Sequence, residues 1–281
     1  MRKLSHILFL VILFVGITGC GDNSSGIDTK KDEPPAIPDL AEQVQPDISY
    51  FDADPMNKKA KSITSEMEES SKIRADYYDE VYGEYSHYYM AQLAITSLSF
   101  ISRLGTTYFG IFQEIGDDPD YNDGNWTWSF GHSEFTVDFT SKEVGSSIQW
   151  TMDYSADMED LQLDNYRVME GTTSKDGVSG TWTFNQLLVE SGSETPFIVT
   201  EWDNESATER DITTDIYDDG SIGSTLHYIQ NGTEHMMTLK EAGSSEDYEV
   251  FWNTDAMEGY FIDENGEKSC WNADFKNIPC G

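Results

Sequence analysis

The sequence predicts an α+β fold, mainly β, in which N-terminal helices are followed by a curved antiparallel meander of about a dozen strands. Three features carry this expectation. From residue 121 onward apolar and polar residues alternate with a period of two, the rhythm of a strand with one buried face. Gly, Asn, Asp and Ser interrupt that alternation about every 11 residues, as hairpin turns do. No helix-length gap separates the segments, so parallel crossovers are excluded. A meander of this size cannot stay flat, because strand twist accumulates and exposed edges are costly. It should curl into a barrel, half-barrel or sandwich packed around an apolar helix.

The opening MRKLSHILFLVILFVGITGC has Arg2 and Lys3, then an apolar run from Ile7 to Val15, then small residues ending on a cysteine, the layout of a secretory signal. Its last four residues, Ile17-Thr18-Gly19-Cys20, resemble the lipobox of bacterial lipoproteins, with Thr18 in place of the usual Ala or Ser. The resemblance covers residues 1–19 and Cys20 and implies removal of the signal, lipid attachment to Cys20 through acyl chains such as palmitate, and an extracytoplasmic, membrane-anchored location. In a Gram-negative cell that is the outer membrane. Multiple acyl chains hold a protein at a membrane where one would not. With Cys20 acylated, Cys270 and Cys280 remain. They are expected to form a disulfide, since the nine residues between them contain no histidine and only Asp274 as a hard ligand.

Residues 20–55 hold five of the eight prolines and are expected to form a lipid-anchored flexible linker with an end-to-end distance of about 30 Å. A single globular domain is expected over 56–281, helical over 56–116 and antiparallel β over 121–281. In the helical part Tyr78, Tyr82, Tyr85 and Tyr89 recur at steps of four, three and four and Leu93 extends the row, which predicts a packing stripe interrupted near Gly83. From Tyr88 to Ile115 apolar residues surround the axis, which predicts a helix buried on most sides. Gln92, Arg103, Gly105 and Gly110 argue against a membrane span.

The strands are expected around Trp126, Trp128 and Phe130; Phe135, Val137 and Phe139; and Ile148, Trp150, Met152 and Tyr154. Further strands centre on Tyr166, Trp182, Val199, Ile212, Leu226, Leu239, Val250, Phe261 and Trp271. Asn231-Gly232 predicts a type I′ hairpin pairing Tyr228 with His235, which turns His227 and His235 to opposite faces. DGVSGTWTF at 176–184 and DGSIGSTLHY at 219–228 share Asp-Gly and a Gly three residues on. They loosely resemble the Gly-aromatic hairpins of MORN-like repeat proteins, and a recurring hairpin turn explains them equally well.

With 52 acidic and 17 basic residues the chain carries a net charge of -35, which excludes binding to nucleic acid or anionic membrane by general electrostatics. The acids are spread along the mature chain, as on a solvated acidic surface, rather than clustered for calcium loading. No cofactor is expected. The one metal candidate is calcium at Asp118, Asp120 and Asn122, where Asp123 occupies the position an EF-hand reserves for Gly and Ser129 that of the bidentate Glu; a plain turn accounts for the same residues.

The chain lacks GxSxG, HExxH, SxxK and P-loop motifs, so no catalytic residue is assigned. Arg103, alone in the apolar helix, with Tyr85 and Tyr89, is the candidate ligand site; an ion pair for Arg103 and core packing for the tyrosines are the competing readings. The expected function is a non-enzymatic envelope lipoprotein that binds or docks a protein, glycan or apolar ligand, the last on a concave sheet. The alternative is a carbohydrate-active hydrolase using paired carboxylates.

Overall fold

The alternation read from the sequence is realised as strands whose every second side chain is buried. In the computed structural model, residues 33–37, 43–53, 82–107, 119–132, 134–158, 161–186, 194–245 and 247–281 are described, and those from Pro34 onward belong to one compact unit. The strands are β1 (Asp120–Asn122), β2 (Asn125–His132), β3 (Phe135–Val144), β4 (Ser147–Met158), β5 (Leu161–Ser174), β6 (Ser179–Asn185) and β7 (Pro196–Ser206). They continue as β8 (Glu209–Asp218), β9 (Ser221–Asn231), β10 (Glu234–Glu241), β11 (Tyr248–Asn253), β12 (Glu258–Ile262), β13 (Lys268–Trp271) and β14 (Asn277–Ile278). All twelve expected segments fall inside strands β2 to β13, and the short β1 and β14 are additional.

The fourteen strands form one antiparallel sheet in sequence order, each paired with the next. It is a single open sheet with β1 and β14 as its edges. The edge strands are three and two residues long, and Asp120 lies in β1, so neither offers a long template for another chain.

Across the core face, large and small residues alternate from strand to strand. Trp126 faces Ser141, Ser141 faces Trp150, Trp150 faces Gly171 and Gly171 faces Trp182. Gly180 likewise faces Trp202, and Gly259 lies between Trp252 and Trp271. A Cβ on Gly171 would stand 2.6 Å from the Trp182 ring, and one on Gly180 would stand 2.5 Å from that of Trp202. The indoles therefore lie flat over glycines, and Trp150, Trp182, Trp202, Trp252 and Trp271 are each at most 1 % exposed. Glycine weakens a strand, and the ring above it restores the lost burial.

The β9–β10 hairpin differs from expectation by one residue. Its turn is Gly232-Thr233, so Asn231 pairs with Glu234, Gln230 with His235 and Tyr228 with Met237. Asn231 stays extended because β8 also holds it, through Glu209, and Gly232 takes the positive φ of 62° that a type II′ turn places first. Moving the turn by one shifts each pairing by two, so the faces are kept: His235 is 2 % exposed and His227 lies on the opposite side.

Helix α1 spans Ser86–Thr107 and packs on β11 to β14, most closely on β12. Where its side chains are described it is amphipathic rather than enclosed. Tyr88, Ala91, Ile95 and Leu98 form the buried stripe, while Leu93 is 39 % exposed and Thr96 and Ser97 face outward. The buried tyrosine is thus Tyr88. Tyr82, Tyr85 and Tyr89, from the expected stripe, are half-buried, because on a helix a row at 82, 85, 89 and 93 lies about 145° from one at 88, 91, 95 and 98. Gly83, with φ of +51°, begins a 3-10 turn, Gly83–Tyr85, ahead of α1. Tyr78 and the expected helical residues 56–81 and 108–116 lie outside the described residues.

Residues 43–53 were expected in the linker and are instead packed between α1 and the sheet. Val44, Tyr50 and Phe51 are core residues, 3–7 % exposed. The Phe51 ring lies 5.6 Å from that of Tyr88, 5.3 Å from Trp252 and 6.3 Å from Trp271. The proline-rich composition concealed three apolar anchors too widely spaced to show a period.

Candidate functional site

The packed segment 43–53 crosses the sheet and is held mainly by its main chain. Asn204 Nδ2 donates to Gln43 O at 2.9 Å, Arg210 Nη1 to Gln45 O at 3.3 Å, and Gln92 Nε2 to Phe51 O. The Tyr88 hydroxyl donates to Ala53 O at 3.0 Å. Trp271 Nε1 donates to the Tyr50 hydroxyl at 2.9 Å. Burial, with a smaller push from the Glu258 carboxylate and against the Trp271 N–H, raises the Tyr50 phenol to about 12.

Beneath this segment lies a buried polar group. The Tyr228 hydroxyl meets Asp47 N–H at 3.3 Å, Gln230 Oε1 at 3.2 Å and His235 Nδ1 at 2.9 Å. A phenol has one proton and two lone pairs. It must accept from Asp47 and, to satisfy Gln230, donate there, so His235 Nδ1 carries a proton and donates to Tyr228. Burial lowers the His235 pKa and Arg210 adds to that, while Asp47 opposes it. For Asp47, burial pushes upward but is outweighed by the Ser49 hydroxyl and N–H, with His235 and Arg210 helping, and the carboxyl sits below its usual value. His235 stacks on Trp252 at 5.0 Å. Covered by chain on one side and sheet on the other, this group fixes segment 43–53 and is closed to a ligand.

The accessible features lie on and beside the opposite face. A groove of about 730 Å³ runs along the β3–β4 and β5–β6 turns, lined by Ser146, Ser147, Thr172, Ser179 and Thr181, with Gly145 and Gly180 leaving room. Its two charged members are engaged: Lys175 pairs with Glu143, and Asp176 accepts from Val178 N–H at 3.4 Å. A smaller depression of about 310 Å³ on β7 to β9 is lined by Glu201, Asp203, Asp211, Thr213 and His227 together with Trp202. Asp203 and Asp211 are directly opposed across the strands, and His227 Nε2 lies 2.8 Å from Asp211.

No family model, no curated protein and no solved structure matches the chain significantly. Neither fold nor function can therefore be carried over from a relative, and the residues must be weighed as they stand.

Cys20, Asp118 and the Arg103 side chain lie outside the described residues. Tyr85 has the Lys276 ammonium 5.9 Å above its ring. Tyr89 stacks on Tyr82 at 4.3 Å and meets Tyr88 edge-on at 5.6 Å, so these two expected ligand residues are engaged with neighbours. Asp120 and Asn122 share one side of the exposed strand β1. Among the described residues no three His, Cys, Asp or Glu side chains are placed to hold a metal. Cys270 and Cys280 form a disulfide with Cα atoms 5.4 Å apart, closing the loop that carries Phe275 against Tyr88.

The sequence reading missed the groove, although a signal existed. Thr172-Thr173-Ser174 and Ser179-Gly180-Thr181 flank one turn, so a hairpin places their hydroxyls side by side. The repeat and hairpin turn expected at 176–184 and the strands expected around Tyr166 and Trp182 surround these hydroxyls without marking them as a site.

Proposed function

We propose that the chain is a lipid-anchored cell-envelope protein that works without catalysis, binding or docking through its outer surface. The observation that supports this reading most is the filled interior: five tryptophans at most 1 % exposed occupy the core face. A concave sheet carrying an apolar ligand would line a void with such rings, whereas the larger groove is lined by serines, threonines and glycines with no aromatic ring and lies outside. We further infer that the sheet curls around its aromatic face, as accumulated twist favours. The lipid anchor rests on the resemblance at Cys20. Metabolic labelling with palmitate should tag the chain and move it to the membrane fraction, and Cys20→Ser should abolish both; equal labelling of that variant would overturn the anchor.

A hydrolase is the second reading, and the Asp203–Asp211 pair favours it, since directly opposed strand residues have Cβ atoms about 5 Å apart. Such chemistry needs one acid shielded in an apolar setting. The Asp211 side chain is 59 % exposed and lies against His227, which supports a solvated surface instead. Incubating the full chain with a panel of chromogenic glycosides should give no turnover. Turnover lost in Asp203→Asn would replace the binding reading with the hydrolase.

A further inference from the structure

Resting on the surface-binding reading above, we propose that the groove along the β3–β4 and β5–β6 turns is a saccharide site for neutral, polyhydroxylated glycan. The side chains that line it are serines and threonines with Lys175 and Asp176, so hydroxyls alternate there with threonine methyl groups and glycine carbons, as polar and C–H faces alternate on a sugar ring. Thr172 and Thr181 are cross-strand partners, and Ser146 and Ser147 approach from the neighbouring hairpin. Among the described residues no protein group is hydrogen-bonded to the hydroxyls of Ser146, Ser147, Thr172 or Thr181. Each can donate once and accept twice, the pattern that matches sugar hydroxyls, which also both give and take. An apolar ligand would find no aromatic ring and no large aliphatic side chain there.

Charge selects among hydroxylated ligands. In a chain of net charge -35, an anionic glycan is repelled before contact. The groove itself balances, with Lys175 held by Glu143 and Asp176 turned to its own loop, so no free base remains to hold a carboxylate or sulfate. A volume of about 730 Å³ lies within the range of sites for ligands of drug size, enough for a short run of sugar units.

The wall is also built before any ligand arrives. Trp202 lies over Gly180 and its Nε1 donates to Gly177 O at 3.0 Å; Asn204 N donates to Val178 O at 2.8 Å. Ser174 Oγ accepts from Ser179 N at 3.1 Å and Gly177 N donates to Ser174 O at 3.0 Å. The β5–β6 turn is thereby pinned to β7, and a pinned wall lowers the ordering cost of binding. The buried tryptophan acts here as the support of the turn rather than as a sugar platform.

The test uses the full chain in detergent, electrophoresed through gels containing dextran, laminarin, arabinoxylan or galactomannan, with polygalacturonate as the anionic control. At least one neutral polysaccharide should retard the protein while polygalacturonate does not. The double variant Thr172→Val/Thr181→Val, which keeps shape and strand preference, should weaken that retardation about tenfold with an unchanged thermal midpoint. The site is overturned if no neutral polysaccharide retards the chain, if polygalacturonate retards it equally, or if the double variant is retarded like the parent. In that last case a binding module stands and only this groove fails. Release of reducing ends in the same mixtures, with retardation still dependent on Thr172 and Thr181, would keep the groove and remove the non-catalytic reading.

Discussion

His235 shows how one residue couples a buried network to pH. Its neutral ring is held by burial against the pull of Asp47, so its folded-state pKa lies below the ordinary 6.5. As pH falls through 6.5 the unfolded chain takes up a proton first, and stability is lost; the contribution is complete above that pH. Urea midpoints should therefore drop just below pH 6.5, and His235→Gln should flatten that step. Nitrogen shifts should place the proton on Nδ1 above pH 7; a protonated Nε2 with bare Nδ1 would refute the hydrogen-bond count at Tyr228. The glycines under indoles give a second residue-scale prediction. Gly259→Ala puts a methyl 2.2 Å from Phe251 O and 2.4 Å from the Trp271 ring, and overpacking of this kind costs about 1–3 kcal/mol. At Gly223 the nearest atom is 3.4 Å away, so Gly223→Ala should change the urea midpoint little. This contrast also separates the two repeat copies: each has its turn Gly, Gly177 and Gly220, at positive φ, but only Gly180 carries a ring. The likeness is one of turns, as the simpler sequence explanation has it.

At the scale of elements, segment 43–53 departs most from what composition implies. It contributes three residues to the core and forms side-chain-to-main-chain bonds with β7, β8 and α1. Phe51→Ala should lower stability by about 3–5 kcal/mol, as for other buried phenylalanines, measured by urea denaturation of the full chain. A linker residue would change nothing. The strands were legible because each needs only its own alternation, and all twelve expected centres lie in strands. The helix was legible in position and less so in exposure: a list of apolar residues shows where a helix lies, while which stripe is buried depends on the surface it meets. Tyr88, rather than Tyr85 or Tyr89, points at β12 and β13 because β11 to β14 lie on that side.

For the whole molecule, charge is the dominant long-range term. The described ion pairs are few, and 52 acids face 17 bases, so folding crowds like charges. Salt screens them, and the thermal midpoint should rise between about 10 mM and 0.5 M NaCl, over which the Debye length shrinks from about 30 Å to less than 8 Å; a falling midpoint would mean attraction outweighs repulsion. The order of the fourteen strands follows from short turns and the lack of crossovers, both visible in the chain. The closed alternatives were not, because whether β1 meets β14 depends on twist and curvature summed over every strand. The candidate groove escaped for a related reason: its hydroxyls come from two hairpins, and no local pattern states that Ser146 and Thr172 are neighbours. The sequence alone thus determined the antiparallel meander, its buried face and the Cys270–Cys280 pairing, since these depend on residues near one another or on simple parity. Only tertiary structure decided that a proline-rich segment joins the core, which helical stripe is covered and where hydroxyls gather, because those depend on contacts between residues far apart along the chain.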